Sequence, residues 1–349
     1  MYLMQIDWFI ILEKFLLVAG IVTICLVVAM YSTYMERKVA AFLQDRRGPS
    51  RAGPFGLFQP LADGLKLFMK EEIIPFSSNK FLFVLGPMLA MITALMTSAV
   101  IPWSWTIDLA GRVVPLQIAD INIGILFIFG VVSLGVYGIM IGGWASNNKF
   151  SLIAALRGAS QMISYELAMG LSLLAVLMIV GDLRLSSIVN QQIANGWNVI
   201  YQPLGFLIFF ICALAECNRT PFDLPEAENE LNFGYHQEYS SMKLGFYLFA
   251  EYIAMFMSSV LLSTMYFGGY DIPFVNEAAW GNAWWVGLVG FLVLMTKAVL
   301  FIFLFMWIRW TIPRFRYDQL MRLGWRILLP LALANMVITA VVALLLNNK

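Results

Sequence analysis

The segment FLLVAGIVTICLVVAMYSTYM, residues 15–35, decides the fold class of this protein. It contains no aspartate, glutamate, lysine or arginine, and it is followed directly by the charged triplet Glu36-Arg37-Lys38. An apolar helix of about 20 residues, at about 1.5 Å per residue, crosses the hydrocarbon core of a bilayer. The segment therefore predicts a transmembrane helix. We expect it to be retained, because the residues before it lack the basic region and cleavage site of a secretory signal.

Similar segments recur along the whole chain. Of its 349 residues, 61% are hydrophobic and 12% are charged, whereas an average soluble domain is about 45–50% apolar and about 25% charged. Stretches with few charges predict about eight transmembrane helices. They lie at 15–35, 81–102, 121–145, 160–181, 201–217, 244–268, 284–308 and 327–347. We therefore predict an all-α integral membrane protein that forms a single polytopic domain over residues 1–349.

The basic residues of the loops predict the orientation. Lysine and arginine accumulate on the cytoplasmic side of short loops. The odd-numbered loops of this chain hold nearly all of them, whereas the even-numbered loops offer only Arg112 and Arg184. We therefore predict that the odd-numbered loops are cytoplasmic and that both termini lie on the outer, periplasmic face.

The first cytoplasmic loop, residues 36–80, contains an amphipathic segment. Over residues 60–72, the apolar side chains share one helical stripe and the charged side chains share another. The segment is too short to span a bilayer, so it predicts an interfacial helix that begins near Pro60 and ends before Pro75. The loop is basic, which fits both anionic lipid headgroups and the docking of a soluble subunit.

Five ionisable residues lie inside the predicted spans or at their edges, namely Glu36, Glu166, Glu216, Glu251 and Lys297. A charge at the centre of a helix in lipid costs about 2.5–3.5 kcal/mol on insertion scales, so such groups normally face the protein interior or a wet cavity. Ion pairs that only stabilise the bundle are one explanation, and groups that move protons are the other.

The fifth loop, residues 216–243, is the most acidic, and residues 215–231 read AECNRTPFDLPEAENEL. In an extended segment Glu226, Glu228 and Glu230 share one side, whereas in a helix Glu226 and Glu230 are neighbours at i,i+4. Either geometry brings like charges together. Crowding and burial favour the neutral acid and raise carboxyl pKa values toward the physiological range. A solvated acidic loop is the alternative.

The chain offers few ligands for a redox centre. Cys25, Cys212 and Cys217 form no CxxC pair, and His236 is the single histidine. The usual thiolate and imidazole ligands of metals and iron–sulfur clusters are therefore lacking. We predict no metal, flavin or iron–sulfur cluster in this chain. The net charge of +1 does not indicate a nucleic-acid partner.

A series of motifs follows one order along the chain. They are ERK (36–38), RGP (47–49), QPLADGLKLFMKE (59–71), GWASN (143–147), SYE (164–166), NRTPFD (218–223), EAENEL (226–231) and PRFRYDQLM (313–321). Together they resemble the H subunit of proton-translocating NADH:quinone oxidoreductase, respiratory complex I, whose mitochondrial counterpart is encoded by the organelle. The resemblance covers nearly the whole chain. It departs only at Glu72, where the family occasionally has a proline.

The resemblance implies eight tilted spans around a quinone-access cavity, in a subunit of the bacterial cytoplasmic (inner) membrane that is inactive alone. It implies bound quinone, ubiquinone or menaquinone, and contacts with lipid and with peripheral-arm, antiporter-like and small membrane subunits. It places Arg37, Arg46 and Asp63 at the quinone cavity, and no catalytic residue is assigned. It assigns an acidic proton path to Glu36, Glu166, Glu216, Glu226, Glu228, Glu230 and Glu251. It implies that Arg314, Arg316 and Asp318 face the peripheral arm.

Two other functions are compatible with intramembrane carboxylates. An autonomous proton or cation transporter would be active as the isolated chain in vesicles. The membrane anchor of a hydrogenase-type complex would need no quinone. The complex I hypothesis instead predicts co-purification with soluble redox subunits.

Overall fold

A computed structural model describes residues 8–109, 112–226, 228–273, 275 and 284–347. Within these ranges, seven helices are long and apolar enough to cross a membrane. They are Phe9–Leu43, Lys80–Val100, Gly124–Ala145, Lys149–Val180, Ser241–Tyr266, Trp284–Thr311 and Tyr317–Leu345. The prediction of an all-α integral membrane protein is confirmed.

The helices and strands are numbered in chain order. The helices of the first half are α1 (Trp8–Leu43), α2 (Gln59–Met69), α3 (Lys80–Met96), α4 (Gly124–Ala145) and α5 (Lys149–Val180). Those of the second half are α6 (Leu185–Asn195), α7 (Asn198–Tyr201), α8 (Pro203–Glu216), α9 (Glu228–Leu231), α10 (Ser241–Tyr266), α11 (Trp284–Thr311), α12 (Tyr317–Arg322) and α13 (Leu329–Asn347). Short 3-10 turns cover Pro54–Gly56, Thr97–Val100 and Gly234–His236, and a π-helical turn, Leu323–Leu328, joins α12 to α13. Strands β1 (Thr106–Leu109) and β2 (Arg112–Pro115) form an antiparallel hairpin.

The first transmembrane helix is longer than the charge-free segment that predicted it. Helix α1 continues for two further turns beyond residue 35, so Glu36 and Arg37 are helical. Ala40 and Ala41 favour helix, and the helix ends before Asp45, whose φ of 51° is left-handed. The extension carries Glu36 to a buried position in the bundle.

The fifth predicted span, 201–217, is the shortest. Helix α8 has 14 residues, or about 21 Å at 1.5 Å per residue, against the roughly 30 Å of a bilayer core. The chain breaks at Gln202 (φ −132°, ψ 56°) just before Pro203. The buried amide of Gln202 bonds instead to Thr339 (2.7 Å) and Asn335 (2.9 Å) of α13. Eight spans of full length are therefore not present in the described residues, because the chain before Pro203 makes polar contacts and does not continue α8.

Helices α3 and α4 approach closely where both carry glycine. A Cβ added at Gly138 would lie 2.9 Å from the backbone nitrogen of Ala90 and 3.1 Å from the carbonyl oxygen of Gly86. Small residues at such contacts let transmembrane backbones pack directly on each other. Tyr247 of α10 joins this contact, since its hydroxyl donates to the carbonyl of Gly138 at 3.0 Å. Helices α3, α4 and α10 thus form one wall of the bundle interior.

A buried carboxylate and arginine cluster as candidate functional site

Glu36 is the first member of a cluster of buried charges, and only 7% of its surface is exposed. Arg309 of α11 forms an ion pair with its carboxylate. The hydroxyl of Tyr252, on α10, donates to its Oε2 at 2.8 Å. The extension of α1 is what brings this carboxylate against α10 and α11. Glu36 is thus held by an interior ion pair and does not face lipid or bulk water.

Arg219, in the loop after α8, occupies the centre of the cluster and is 5% exposed. Its Nη1 lies 4.0 Å from Oε2 of Glu36, and its Nη2 lies 3.6 Å from Oε2 of Glu251. The guanidinium covers the ring of Tyr252, with 4.3 Å from its carbon to the ring centroid. Burial alone would lower the pKa of Arg219, but the surrounding acidic groups raise it well above its usual value. Arg219 therefore remains a cation between two carboxyl groups.

Glu251 of α10 and Glu226 of the acidic loop form the next part of the cluster. The hydroxyl of Tyr235 donates to Oε1 of Glu251 at 2.9 Å, and the carboxyl group of Glu226 lies within hydrogen-bonding reach of Glu251. A hydrogen bond between two carboxyl groups requires a proton on one of them. Burial raises the pKa of Glu226, but the positive charge of Arg219, with His236 and Arg309, outweighs it and lowers that pKa overall. Glu226 therefore favours its ionised form.

Asp223 extends the cluster toward the segment that follows α11. It is 5% exposed, and Nη2 of Arg314 donates to its Oδ2 at 2.7 Å. Burial and the nearby charge of Glu226 raise the pKa of Asp223 to about 7, against the opposing effect of Arg314. Asp223 therefore gains and loses its proton in the physiological range.

A cavity leads from Glu251 to Glu216, at the end of α8. It measures about 100 Å³ and is walled mainly by apolar side chains of α3, α4 and α10, which is room for several water molecules at about 10–15 Å³ each. Glu216 and Glu251 both line it, together with Tyr235 and Tyr247. Beyond Glu216, the charge of Glu166 on α5 is close enough to act on it. Oε2 of Glu166 accepts a hydrogen bond from Ser133 at 3.1 Å.

The remaining predicted members of the acidic path lie elsewhere. Glu230 is exposed and forms an ion pair with Arg157 of α5, Nη1 to Oε2 2.7 Å. Glu228 begins α9, and its side chain lies outside the described part of the chain. Glu226 lies beside Glu251, whereas Glu230 is at the surface with Arg157, so neither geometry considered for the acidic segment applies to these two residues.

The three predicted quinone-cavity residues are only partly brought together. Nη1 of Arg37 lies 2.8 Å from Oδ2 of Asp63 on α2, and the two side chains are 51% and 35% exposed. Arg46 is exposed after the end of α1 and donates to Gln44 at 2.7 Å. Helix α2 is interfacial in length, with 11 residues, and its apolar Leu65 is exposed.

Of the three residues predicted to face a peripheral arm, Arg316 and Asp318 are exposed, whereas Arg314 turns inward to Asp223. Lys297, the predicted intramembrane cation, has a different environment. Its ammonium donates to three backbone carbonyls beyond the end of α10, those of Phe267 (2.7 Å), Gly269 (2.9 Å) and Asp271 (2.6 Å). It therefore fastens α11 to the C-terminal end of α10.

Five residues of the cluster were not predicted as site residues. Arg219 and Asp223 are part of the NRTPFD motif, and Tyr252 follows Glu251 directly, so proximity in sequence was an available signal for these three. Arg309 was counted only as a cytoplasmic loop charge, although it lies in the last turn of α11. No sequence signal marked Tyr235, because it reaches Glu251 only through the fold of the loop.

The fold and the site define a polytopic helical membrane protein whose interior holds a connected series of carboxyl groups and arginines. A family model described as NADH dehydrogenase matches residues 16–340. An NADH-quinone oxidoreductase H subunit of Cytophaga hutchinsonii is 63% identical over 342 residues, which cover 98% of this chain and all of the relative. The H subunit of Flavobacterium johnsoniae is 60% identical over 96% of each chain, and an H subunit of Geobacter metallireducens is 47% identical over 94% of this chain and 95% of the relative. The chain belongs to the NADH dehydrogenase family, as the H subunit of NADH-quinone oxidoreductase, and the resemblance inferred from the motifs is confirmed.

Proposed function

We propose that this chain is the membrane subunit of proton-translocating NADH:quinone oxidoreductase that forms much of the quinone cavity and transmits quinone reduction to proton pumping. The observation that carries the proposal is the buried series of ionisable groups. It runs from Glu36 through Arg219 to Glu251 and Glu226, and then along the cavity to Glu216 and Glu166. Membrane interiors exclude charges that have no use there.

The cytoplasmic end of α1 supports the position of the quinone site. Arg37 and Asp63 pair at the membrane surface beside α2, whose exposed apolar side chains offer a path for an isoprenoid tail. Glu36, the neighbour of Arg37 in α1, lies in the interior. Quinone reduction to quinol takes up two electrons and two protons, so it changes the charge balance next to this carboxylate. The electrons come from redox centres of partner subunits, because this chain supplies the pocket and the proton-responsive groups.

Electrostatic coupling is strong enough to transmit this change. Two unit charges about 4 Å apart interact by about 4 kcal/mol at an effective dielectric of about 20, which is about three pKa units. Arg219 lies 4.0 Å from Glu36 and 3.6 Å from Glu251, so a charge gained or lost at Glu36 acts on Glu251 through this shared cation. Water in the cavity then connects Glu251 to Glu216.

The same proposal includes the location, the orientation and the partners of the chain. We place it as a single polytopic domain in the bacterial inner membrane with both termini periplasmic. Its 36–80 and 216–243 segments face the cytoplasm and the peripheral arm, with Arg316 and Asp318 at that contact. Its partners are the peripheral-arm, antiporter-like and small membrane subunits, with quinone and lipid.

Glu216→Gln in the assembled complex tests the proposal, with Glu13→Gln near the outer end of α1 as the matched control. We expect Glu216→Gln to lower quinone-linked proton pumping while NADH oxidation by an artificial acceptor continues at its normal rate. The measurements are proton uptake in vesicles and both electron-transfer rates. Normal pumping in Glu216→Gln would refute the acidic path. Proton transport by the isolated chain would instead indicate an autonomous transporter.

A further inference from the structure

Arg219 is buried without the hydrogen bonds that a buried guanidinium normally makes. Its distances to Glu36 and Glu251, 4.0 and 3.6 Å, exceed the 2.7–2.9 Å of a charge-assisted hydrogen bond by about 1 Å. Among the described residues, its Nε and Nη2 have no hydrogen-bond partner. Charged donors left without a hydrogen-bond partner in an interior destabilise the protein. The guanidinium is thus attracted by the carboxylates of Glu36 and Glu251 and completes a charge-assisted hydrogen bond with neither.

Both carboxyl groups are already held from their other sides. Glu36 is fixed by Arg309 and Tyr252, and Glu251 by Tyr235 and Glu226. Arg219 is therefore the group that can move, since its guanidinium rests on the flat face of the Tyr252 ring. A cation keeps its attraction to a ring while it slides across that face. A displacement of about 1 Å in either direction completes a hydrogen bond with one carboxylate and abandons the other.

We propose that Arg219 is a movable positioning residue that couples the ionisation of Glu36 to the shared proton of Glu226 and Glu251. When Glu36 is ionised and attracts Arg219, the pair of carboxyl groups retains its proton. When Glu36 becomes neutral, Arg219 moves to Glu251, and the pair releases its proton toward the cavity. The proposal deepens the proposed function and depends on it, because it assigns the step between the quinone end and the cavity to one side chain.

Coupling of this kind is reciprocal, so it can be measured from either end. The charged and titratable groups that face Arg219 come from α1, the acidic loop, α10 and α11: Glu36, Glu226, His236, Glu251, Tyr252 and Arg309. Of these, only Glu251 borders the cavity, and its carboxyl group lies within hydrogen-bonding reach of Glu226. The protonation of Glu251 is therefore the quantity to measure. If Arg219 only stabilised the structure, this protonation would not respond to a change at Glu36.

The test uses infrared difference spectroscopy of the assembled complex, with the carboxyl band of the pair assigned by its loss in Glu251→Gln. Glu36→Gln mimics the neutral acid. It should lower the ratio of protonated to ionised pair by about tenfold or more, the effect of an opposite charge moving into contact. In Glu36→Gln with Arg219→Gln, this response should disappear. In Glu36→Gln with Arg184→Gln, an arginine beyond the outer end of α5, it should persist.

Arg219→Lys keeps the charge but lacks the fork that reaches both carboxylates. In this variant the response to Glu36→Gln should therefore fall at least severalfold. A full response in either Arg219 variant would overturn the proposal. So would an unchanged band in Glu36→Gln while Glu216→Gln still abolishes pumping, and that result would leave the proposed function intact. Loss of pumping sensitivity to Glu216→Gln would refute the proposed function separately.

Discussion

Gly138→Ala is expected to force α3 and α4 apart. The new Cβ would lie 2.9 Å from the nitrogen of Ala90, 3.1 Å from its Cβ and 3.1 Å from the carbonyl oxygen of Gly86, whereas ordinary contacts begin near 3.4 Å. Two of the three obstructing atoms are backbone atoms, so no side chain can turn away. The helices must separate by about 0.5 Å, or the backbones must distort.

The expected cost follows from overpacking. Extra methyl groups in a tightly packed interior cost about 1–3 kcal/mol, and the better helix propensity of alanine recovers up to about 1 kcal/mol. We therefore expect Gly138→Ala to destabilise the bundle by about 1–2 kcal/mol. The shift also weakens the hydrogen bond from Tyr247 to the carbonyl of residue 138.

Gly130→Ala is the matched control on the same helix, because a Cβ there has nothing within 4 Å. The assay is the thermal unfolding temperature of the purified complex together with the amount assembled in membranes. Gly138→Ala should lower both, whereas Gly130→Ala should leave them unchanged or slightly raised. Equal stability of the two variants would refute the argument that direct backbone contact holds α3 against α4.

Two further predictions concern groups outside this contact. Lys297→Met removes an ammonium that bonds three carbonyls, so it should destabilise the complex by about 3 kcal/mol or more. Lys297→Arg should recover part of that loss in the unfolding temperature, and full stability of the methionine variant would contradict the prediction. Burial, and then the charge of Glu226, raise the pKa of Asp223 from 3.8 to about 7. Its contribution to the free energy of unfolding is therefore complete below about pH 4 and is lost as the pH rises through 7. The unfolding temperature should fall less between pH 5 and 8 in Asp223→Asn than in the unmodified complex, and identical pH profiles would contradict this assignment.

The sequence predicted the class of the protein and several elements closely. The charge-free segments located the long helices within a few residues at most ends, because hydropathy depends on local composition. The main errors lay where charges or glutamine interrupted the pattern. Helix α1 passes through its charged triplet, α5 begins at Lys149 rather than at 160, and α8 begins at Pro203. Charge counting cannot foresee that a neighbouring helix will neutralise Glu36 or bind Gln202.

The candidate site was predictable in kind but not in arrangement. Carboxylates in apolar segments indicated an interior site, since lipid excludes them. Which acids meet was decided by the loop after α8, which buries Glu226 beside Glu251 and leaves Glu230 at the surface with Arg157. Residue spacing along one segment does not contain this information.

By itself, the sequence determined that this chain inserts into a membrane as a helical bundle and, through its motifs, which family it belongs to. Only the tertiary structure decided that Arg219 lies between Glu36 and Glu251, which belong to different helices. The reason is physical. Insertion is a sum over the transfer energies of single residues, whereas the charge state of a buried acid depends on partners a few ångströms away that come from distant parts of the chain.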